Sequence, residues 1–214
     1  MTTDGLSALK DKLLCAALPH VIFDGWTDKA LAAGARDLKL GAGAALRAFP
    51  GGAAEAALHF SDYADRRMLA ELEHRNLAAL RVRDRIALAI RVRLEGLAAW
   101  REPVRRALSF LALTPNAPAA MAATYRTVDA IWYAAGDTAA DFNFYTKRGL
   151  LAGVYAATVL YWLSDKSEGQ ADTWAFLDRR IDEITAIPKI KGRLAEALAG
   201  FAKPFTAFRR GDRT

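Results

Sequence analysis

Apolar residues recur at intervals of three and four along most of the chain, the spacing that places them on one face of an α-helix. Runs that alternate apolar and polar residues, as a half-buried β-strand would, are almost absent. Ala, Leu, Arg and Glu are frequent, and all four are good helix formers. The pattern therefore predicts an all-α protein with about ten helices.

Capping and helix-ending residues set the predicted boundaries. Pro19 is expected to end the first helix, Thr27 to cap the second, and Gly136 to end a later one in the left-handed conformation. Thr138-Ala-Ala-Asp141 resembles a capping box before a central apolar helix. The predicted helices cover about residues 4–17, 28–39, 41–49, 53–75, 82–100, 103–113, a stretch after Pro118 that ends at 135, a central stretch that ends at 163, 171–187 and 189–208.

The three helices predicted within residues 1–52 have a distinctive arrangement. With a Gly-Trp-Thr turn at 25–27 and an exit at Phe49-Pro50-Gly51, they resemble the helix-turn-helix of TetR-type repressors, in which larger helices follow. A recognition helix needs basic and polar side chains, but Gly41–Phe49 offers only Arg47. We interpret this region as a degenerate helix-turn-helix that binds no nucleic acid. A TetR-type ligand-responsive transcriptional repressor remains the alternative hypothesis.

Composition and charge narrow the possible classes. The chain has 214 residues, 53% of them apolar, and a mean hydropathy of +0.03, as in soluble globular proteins. Its one cysteine, Cys15, excludes an intramolecular disulfide and fits a reducing cytosol. The first fifteen residues mix acids and bases without an apolar core, so we expect no targeting signal. The longest apolar run, Leu150–Leu163, is shorter than the roughly 20 residues that span a bilayer.

Most of the +6 net charge lies in residues 188–214, which hold seven basic and two acidic side chains. A helix predicted there is amphipathic, and a basic amphipathic helix can lie in a membrane interface. Docking of the same helix on the protein's own core is equally compatible with the pattern, and Pro204 would kink it. The predicted membrane-binding residues share one helix face: Ile190, Leu194, Leu198, Phe201, Phe205 and Phe208.

No common catalytic motif is present. The chain lacks a P-loop, a Gly-x-Ser-x-Gly elbow and a dinucleotide fingerprint, so we expect a binding protein rather than an enzyme. Glu71 and His74 form one Glu-x-x-His pair, but di-iron bundles need two, so no metal site is predicted. The arginines between Arg81 and Arg93 are interpreted as a solvated helix face whose long side chains cover apolar neighbours.

Aromatic residues are dense between Met121 and Trp162, which is usual for a helical core but also suits a cavity for a long apolar ligand. The predicted lipid-binding residues are Leu108, Leu111, Met121, Tyr125, Trp132, Leu151, Tyr155, Val159 and Trp162. A polar cluster that encloses an aromatic pair suits a partner-binding surface, although ordinary capping and ion pairing would also explain it. This cluster consists of Asp137, Asp141, Asn143, Phe144, Tyr145, Lys147 and Arg148.

Four segments resemble a known family over nearly the whole chain from about Leu13. They are LPHVIFDGWTDKAL at 18–31, ADRRM at 64–68, VDAIWYAAGDTAADFNFYTKRGLLAGVYAAT at 128–158 and DTWAFLDRRID at 172–182. The chain is similar there to the coenzyme Q biosynthesis accessory protein family, the ninth of the Coq proteins. The resemblance implies a TetR-like fold without a transcriptional role. It also implies an apolar pocket for isoprenoid quinone precursors, a terminal membrane helix, and a hydroxylase partner that contacts an aromatic pair, with Phe144 here in place of Trp.

These observations together predict a non-enzymatic, lipid-binding accessory protein of ubiquinone biosynthesis. It would bind isoprenoid quinone intermediates, or a phospholipid, in a helical core of residues 53–187 and present the intermediate to a pathway hydroxylase. We expect no cofactor, a homodimer, and a peripheral position on the inner face of a bacterial cytoplasmic membrane. A purely structural subunit of a biosynthetic complex is a third possibility.

Overall fold

Helices make up almost all of the regular structure. The computed structural model describes residues 3–136 and 143–184, with the side chains of 5–136 and 146–184. Within these ranges there are nine α-helices, three short 3-10 turns and no strand, which confirms the predicted all-α fold class. The α-helices are α1 (Thr3–Asp24), α2 (Asp28–Asp37), α3 (Ala44–Ala48), α4 (Gly52–Glu73), α5 (Val82–Gly96), α6 (Arg101–Leu111), α7 (Ala117–Ala134), α8 (Asn143–Ser164) and α9 (171–184).

Helices α1 to α3 form an N-terminal unit in which α1 packs along α2. The prediction that Pro19 ends the first helix is wrong, because α1 continues through it to Asp24. A proline inside a helix costs about 3 kcal/mol, but Leu18 and Val21 are fully buried on either side and their burial offsets that cost. The Thr27 cap is confirmed, since its hydroxyl accepts a hydrogen bond from the Ala30 backbone N–H at 3.3 Å.

The third helix is shorter than predicted. Gly43 has a φ of +73°, a left-handed conformation that cannot continue a helix, so α3 begins at Ala44 instead of Gly41. Only five residues are helical, and α3 ends before Phe49, whose side chain is fully buried. The connection from α2 to α3 is therefore long and the helix itself short.

Helix α4 lies at the centre of the remaining helices and contacts α5, α6 and α7, while α7 also packs on α8. Trp26 joins the N-terminal unit to this core. Its ring lies 5.6 Å from that of Phe60 on α4, and its indole N–H donates to the Pro103 carbonyl on α6 at 3.1 Å. Two side chains of α1 add ion pairs to α4: Lys10 with Glu55, and Asp11 with Arg66, both at 2.7 Å.

Specific contacts hold the ends of α7 and α8. Gly136 has a φ of +85°, as predicted for a left-handed helix stop, and Arg85 donates to the adjacent Ala135 carbonyl at 3.1 Å. Arg101 and Arg105 of α6 donate to carbonyls at the end of α8, including that of Leu163 at 2.6 Å. The capping box predicted at 138–141 and the helix predicted at 189–208 lie outside the described residues. None of the described helices has the length and apolar character to cross a membrane.

Candidate functional site

A cavity of about 710 Å³ opens between α4, α5, α6, α7 and α8. This volume is within the range of about 300–1,000 Å³ that is usual for small-molecule sites. Apolar side chains from all five helices form most of its walls. Six of the nine residues predicted to bind lipid line it: Leu108, Leu111, Met121, Tyr125, Tyr155 and Val159.

The other three predicted residues, Trp132, Leu151 and Trp162, do not line this cavity and belong to the packed core. Leu151 and Trp162 are fully buried, and the Arg101 guanidinium lies 4.9 Å from the centre of the Trp162 ring. Trp132 is 7% exposed, with the Lys147 ammonium 5.8 Å from its ring centre. At their positions on the helices, these side chains make contacts between helices and do not face the cavity. The aromatic content of the sequence alone could not predict this difference.

Part of the cavity wall was missing from the sequence prediction. Phe60 of α4 and Leu94 of α5 line it, as does Leu97 just after α5 and Val104 of α6. All four are apolar, but none of them was singled out from the sequence. Nothing in the spacing of apolar residues distinguishes a residue facing a cavity from one facing another helix.

A polar cluster lies in one wall of this apolar cavity. Arg93 donates from Nε to Asp65 Oδ1 at 2.7 Å and from Nη2 to the Ser61 hydroxyl at 3.0 Å. The Thr127 hydroxyl lies 2.8 Å from the other Asp65 oxygen and donates to that carboxylate. The Arg93 guanidinium carbon is 5.4 Å from the centre of the Tyr155 ring. Ser61, Arg93, Thr127 and Tyr155 line the cavity, whereas Asp65 lies behind them.

The interpretation of the α5 arginines as a solvated face is therefore wrong for Arg93, which is only 5% exposed. Arg93 lies seven residues after Ile86 and three after Ile90, so it falls on the buried face of α5. Asp65, 9% exposed, supplies the compensating charge. Burial raises the pKa of the nearby Tyr155 phenol, although the Arg93 charge partly opposes the shift.

The mouth of the cavity is unusually apolar for a protein surface. Met121 is 74% exposed and Leu160 is 62% exposed, and both line the opening. Leu108 and Tyr125, each 40% exposed, also line the cavity. An exposed apolar rim of this kind marks contact with a ligand, a membrane or another protein.

The predicted partner surface is only partly within the described residues. Asp137 and Asp141 lie outside them, while 143–145 form the first turn of α8. Arg148 is buried and donates to Asp129 of α7 at 2.7 Å, so it joins α7 to α8. Lys147 lies against Trp132. The six residues predicted to bind membrane, from Ile190 to Phe208, lie outside the described residues.

A second pocket, of about 700 Å³, lies in the N-terminal unit between α2, the following loop and α3. The single basic side chain of α3, Arg47, folds back and donates to the Ala42 carbonyl at 3.0 Å. In the candidate metal pair, Glu71 accepts from Arg75 at 2.8 Å and His74 is exposed. Within the described ranges, no three His, Cys, Asp or Glu side chains are grouped so that they could hold a metal ion.

Comparison with known proteins supports the resemblance noted from the sequence. A COQ9 family model matches residues 117–188, which include α7, α8 and α9. The chain is 37% identical over 182 residues to the rat ubiquinone biosynthesis protein COQ9, mitochondrial, and 36% identical to the human protein. These alignments cover 82% of this chain, and they span 58% and 57% of the length of those relatives. The Drosophila melanogaster protein is 31% identical over 94% of this chain and 63% of its own length.

A solved structure is also similar in fold. The crystal structure of a TetR transcriptional regulator from Nitrosomonas europaea superposes with a TM-score of 0.65, covering 82% of this chain and 97% of that one. The two sequences are 22% identical, so the similarity concerns the fold alone. The predicted TetR-like architecture is confirmed.

Proposed function

We propose that this chain, which carries a COQ9 domain and is related to COQ9 proteins over most of its length, acts in ubiquinone biosynthesis. Its part is that of an accessory protein that binds an isoprenoid quinone intermediate and presents it to a pathway hydroxylase. The relatives bear the name of ubiquinone biosynthesis proteins. The activity proposed for this chain rests on its own cavity.

The apolar cavity between α4 and α8 is the observation that carries the proposal. An isoprenoid tail is costly to expose to water, and a cavity of about 710 Å³ with aliphatic and aromatic walls can shield several isoprene units. Two of its walls, α7 and α8, belong to the segment that matches the COQ9 family. The rim at Met121 and Leu160 would let the tail enter from an apolar phase.

The proposed location is the membrane surface. Residues 188–214 carry a net charge of +5, and each basic group near an anionic bilayer contributes about 1 kcal/mol to binding. We place the protein peripherally, on the inner face of a bacterial cytoplasmic membrane. Residues 137–148 would face the hydroxylase, and Arg148, tied to Asp129, would fix the start of α8 beside them.

A cavity-filling variant tests the proposal. Ala156 is exposed within the cavity wall, so Ala156→Phe adds a ring where a ligand would lie. Ala122→Phe on α7 is the matched control, because Ala122 is exposed and does not line the cavity. Equilibrium dialysis with a radiolabelled short-chain prenyl benzoquinone should show binding weakened roughly tenfold or more by Ala156→Phe and left within about twofold by the control.

The same pair of variants tests the role in cells. In a strain that lacks the gene, ubiquinone content should be restored by the wild-type protein and by Ala122→Phe, and poorly by Ala156→Phe. Equal binding and equal restoration by both variants would contradict the proposal. Tight, sequence-specific binding to DNA in a gel-shift experiment would instead support the repressor alternative.

A further inference from the structure

The polar cluster in the wall of the apolar cavity holds hydrogen-bond donors that none of the described residues accepts. We propose that Arg93 and Tyr155 form a subsite for the head group of the bound lipid, and that this subsite selects a neutral head with acceptor oxygens over an anionic one. Phenols and quinones have the required chemistry, and phosphates do not. The inference rests on the proposed lipid-binding function and specifies the end of the ligand that the cavity recognises.

Arg93 has hydrogen-bond donors that none of the described residues accepts. Its Nε and Nη2 groups bond to Asp65 and Ser61, but Nη1, with two N–H donors, makes no hydrogen bond to any residue in the described ranges. Arg93 is 5% exposed and lines the cavity, so water can satisfy Nη1 only from the cavity side or through the neighbouring cleft between α4 and α5. A ligand oxygen in the cavity can replace that water.

The Tyr155 side chain brings a second hydrogen-bond donor, its hydroxyl, to the cavity wall. Tyr155 is 9% exposed and lines the cavity, and its hydroxyl forms no hydrogen bond within the part of the chain that the structure describes. Burial raises the pKa of this phenol, which keeps the hydroxyl protonated and able to donate at neutral pH. The centre of the Tyr155 ring lies 5.4 Å from the Arg93 guanidinium carbon, so the two side chains are neighbours in the cavity wall.

Charge balance decides which head group fits. The Asp65 carboxylate lies 2.7 Å from Arg93 and balances its charge, so this ion pair has no net positive charge. A phosphate placed there would be a buried anion without a counter-ion, which is strongly unfavourable. A phenol or quinone oxygen instead accepts hydrogen bonds from Nη1 and from the Tyr155 hydroxyl and brings no charge into the cavity.

Lipids that share one tail and differ in the head measure this preference. We would use a farnesyl phenol, a farnesyl benzoquinone, farnesyl monophosphate and the corresponding farnesyl hydrocarbon, with the full chain and equilibrium dialysis. The phenol and the quinone should bind roughly tenfold or more tightly than the hydrocarbon. The monophosphate should bind no better than the hydrocarbon.

Tyr155→Phe removes one hydroxyl and keeps the ring. It should reduce the ratio of hydrocarbon to phenol dissociation constants by roughly 3- to 10-fold. This ratio is taken within one variant and does not depend on the fraction of folded protein, so a modest loss of stability cannot mimic the effect. Tyr133→Phe is the control, since Tyr133 is 76% exposed and lies outside the cavity.

The outcomes separate the two proposals. If all four lipids bind equally, or the monophosphate binds as tightly as the phenol, the head-group subsite is wrong while the lipid-binding function survives. An unchanged ratio in Tyr155→Phe also overturns the subsite. If none of the lipids binds, the proposed function itself fails.

Discussion

Two pockets of nearly equal volume lie in different parts of the molecule, about 700 Å³ in the N-terminal unit and about 710 Å³ between α4 and α8. The first is bounded by α2, a glycine-containing loop and the five-residue helix α3, and its charged lining residues Asp28, Lys29 and Arg36 are exposed. The second is bounded by five helices and contains Arg93 and Thr127, both buried. Similar volumes therefore have very different walls.

The difference shows that volume alone does not identify a ligand site. A buried charge is retained inside an apolar wall only with a partner, and here Asp65 provides it at 2.7 Å. Among the described residues of the N-terminal unit, no comparable cluster lines the pocket, and α1 and α2 approach each other closely at Gly34 and Ala17. The two regions should accordingly respond to different substitutions.

Asp65→Ala should have the largest effect. It leaves the Arg93 guanidinium buried without a carboxylate, which costs about 3–5 kcal/mol in the free energy of unfolding. Urea denaturation measures this loss. Asp62→Ala, on the exposed side of α4, should cost at most about 1 kcal/mol. Equal losses in the free energy of unfolding for the two variants would mean that the buried Asp65–Arg93 pair stabilises the core no more than an exposed ion pair does.

Gly34→Ala should have the next largest effect, confined to the N-terminal unit. A Cβ at Gly34 would lie 2.6 Å from the backbone nitrogen of Ala17, so α1 and α2 would have to move apart. We expect a loss of about 1–3 kcal/mol in urea denaturation and an unchanged dissociation constant for prenyl benzoquinone. Gly41→Ala, with no atom within 4 Å, is the control. A loss of quinone binding by folded Gly34→Ala would contradict the separation of the two regions.

Asp11→Asn should have the smallest effect and tests the junction between the regions. Hydrogen bonds from Arg66, reinforced by His59 and opposed by partial burial, hold the pKa of Asp11 below its ordinary value. The ionised Asp11 carboxylate therefore adds at most about 1 kcal/mol to the free energy of unfolding, because its ion pair with Arg66 is partly exposed. This stabilisation is complete above pH 4 and is lost as the pH falls below it. The difference in urea midpoint between wild type and Asp11→Asn should shrink from pH 6 to pH 3. A difference that grows on acidification would refute this assignment.

Local rules predicted much of the fold. Thr27 caps α2 and Gly136 ends α7 as expected, because both effects depend on a residue and its immediate neighbours. The prediction at Pro19 was wrong because burial of α1 in the folded protein outweighs the local tendency of proline to end a helix. The short α3 follows from the left-handed Gly43, a conformation that glycine permits but does not require.

The cavity was only partly predictable. Periodicity identified apolar helix faces, but the rotation of each helix against its neighbours decides that Tyr155 faces the cavity and Trp162 faces the core. The Arg93–Asp65 pair was missed because its members lie 28 residues apart on two helices. The position of Arg93 in the buried register of α5 was the available indication. An arginine at such a position requires a partner, and the sequence does not say which carboxylate provides it.

Lipid binding in the cavity is tested most directly by native mass spectrometry of the purified full chain, with extraction and identification of any lipid that accompanies it. The proposed function predicts a neutral isoprenoid phenol or quinone at about one molecule per chain, retained by Ala122→Phe and lost from Ala156→Phe. A protein that carries no lipid, or that carries only phospholipid to the same extent in both variants, would contradict it.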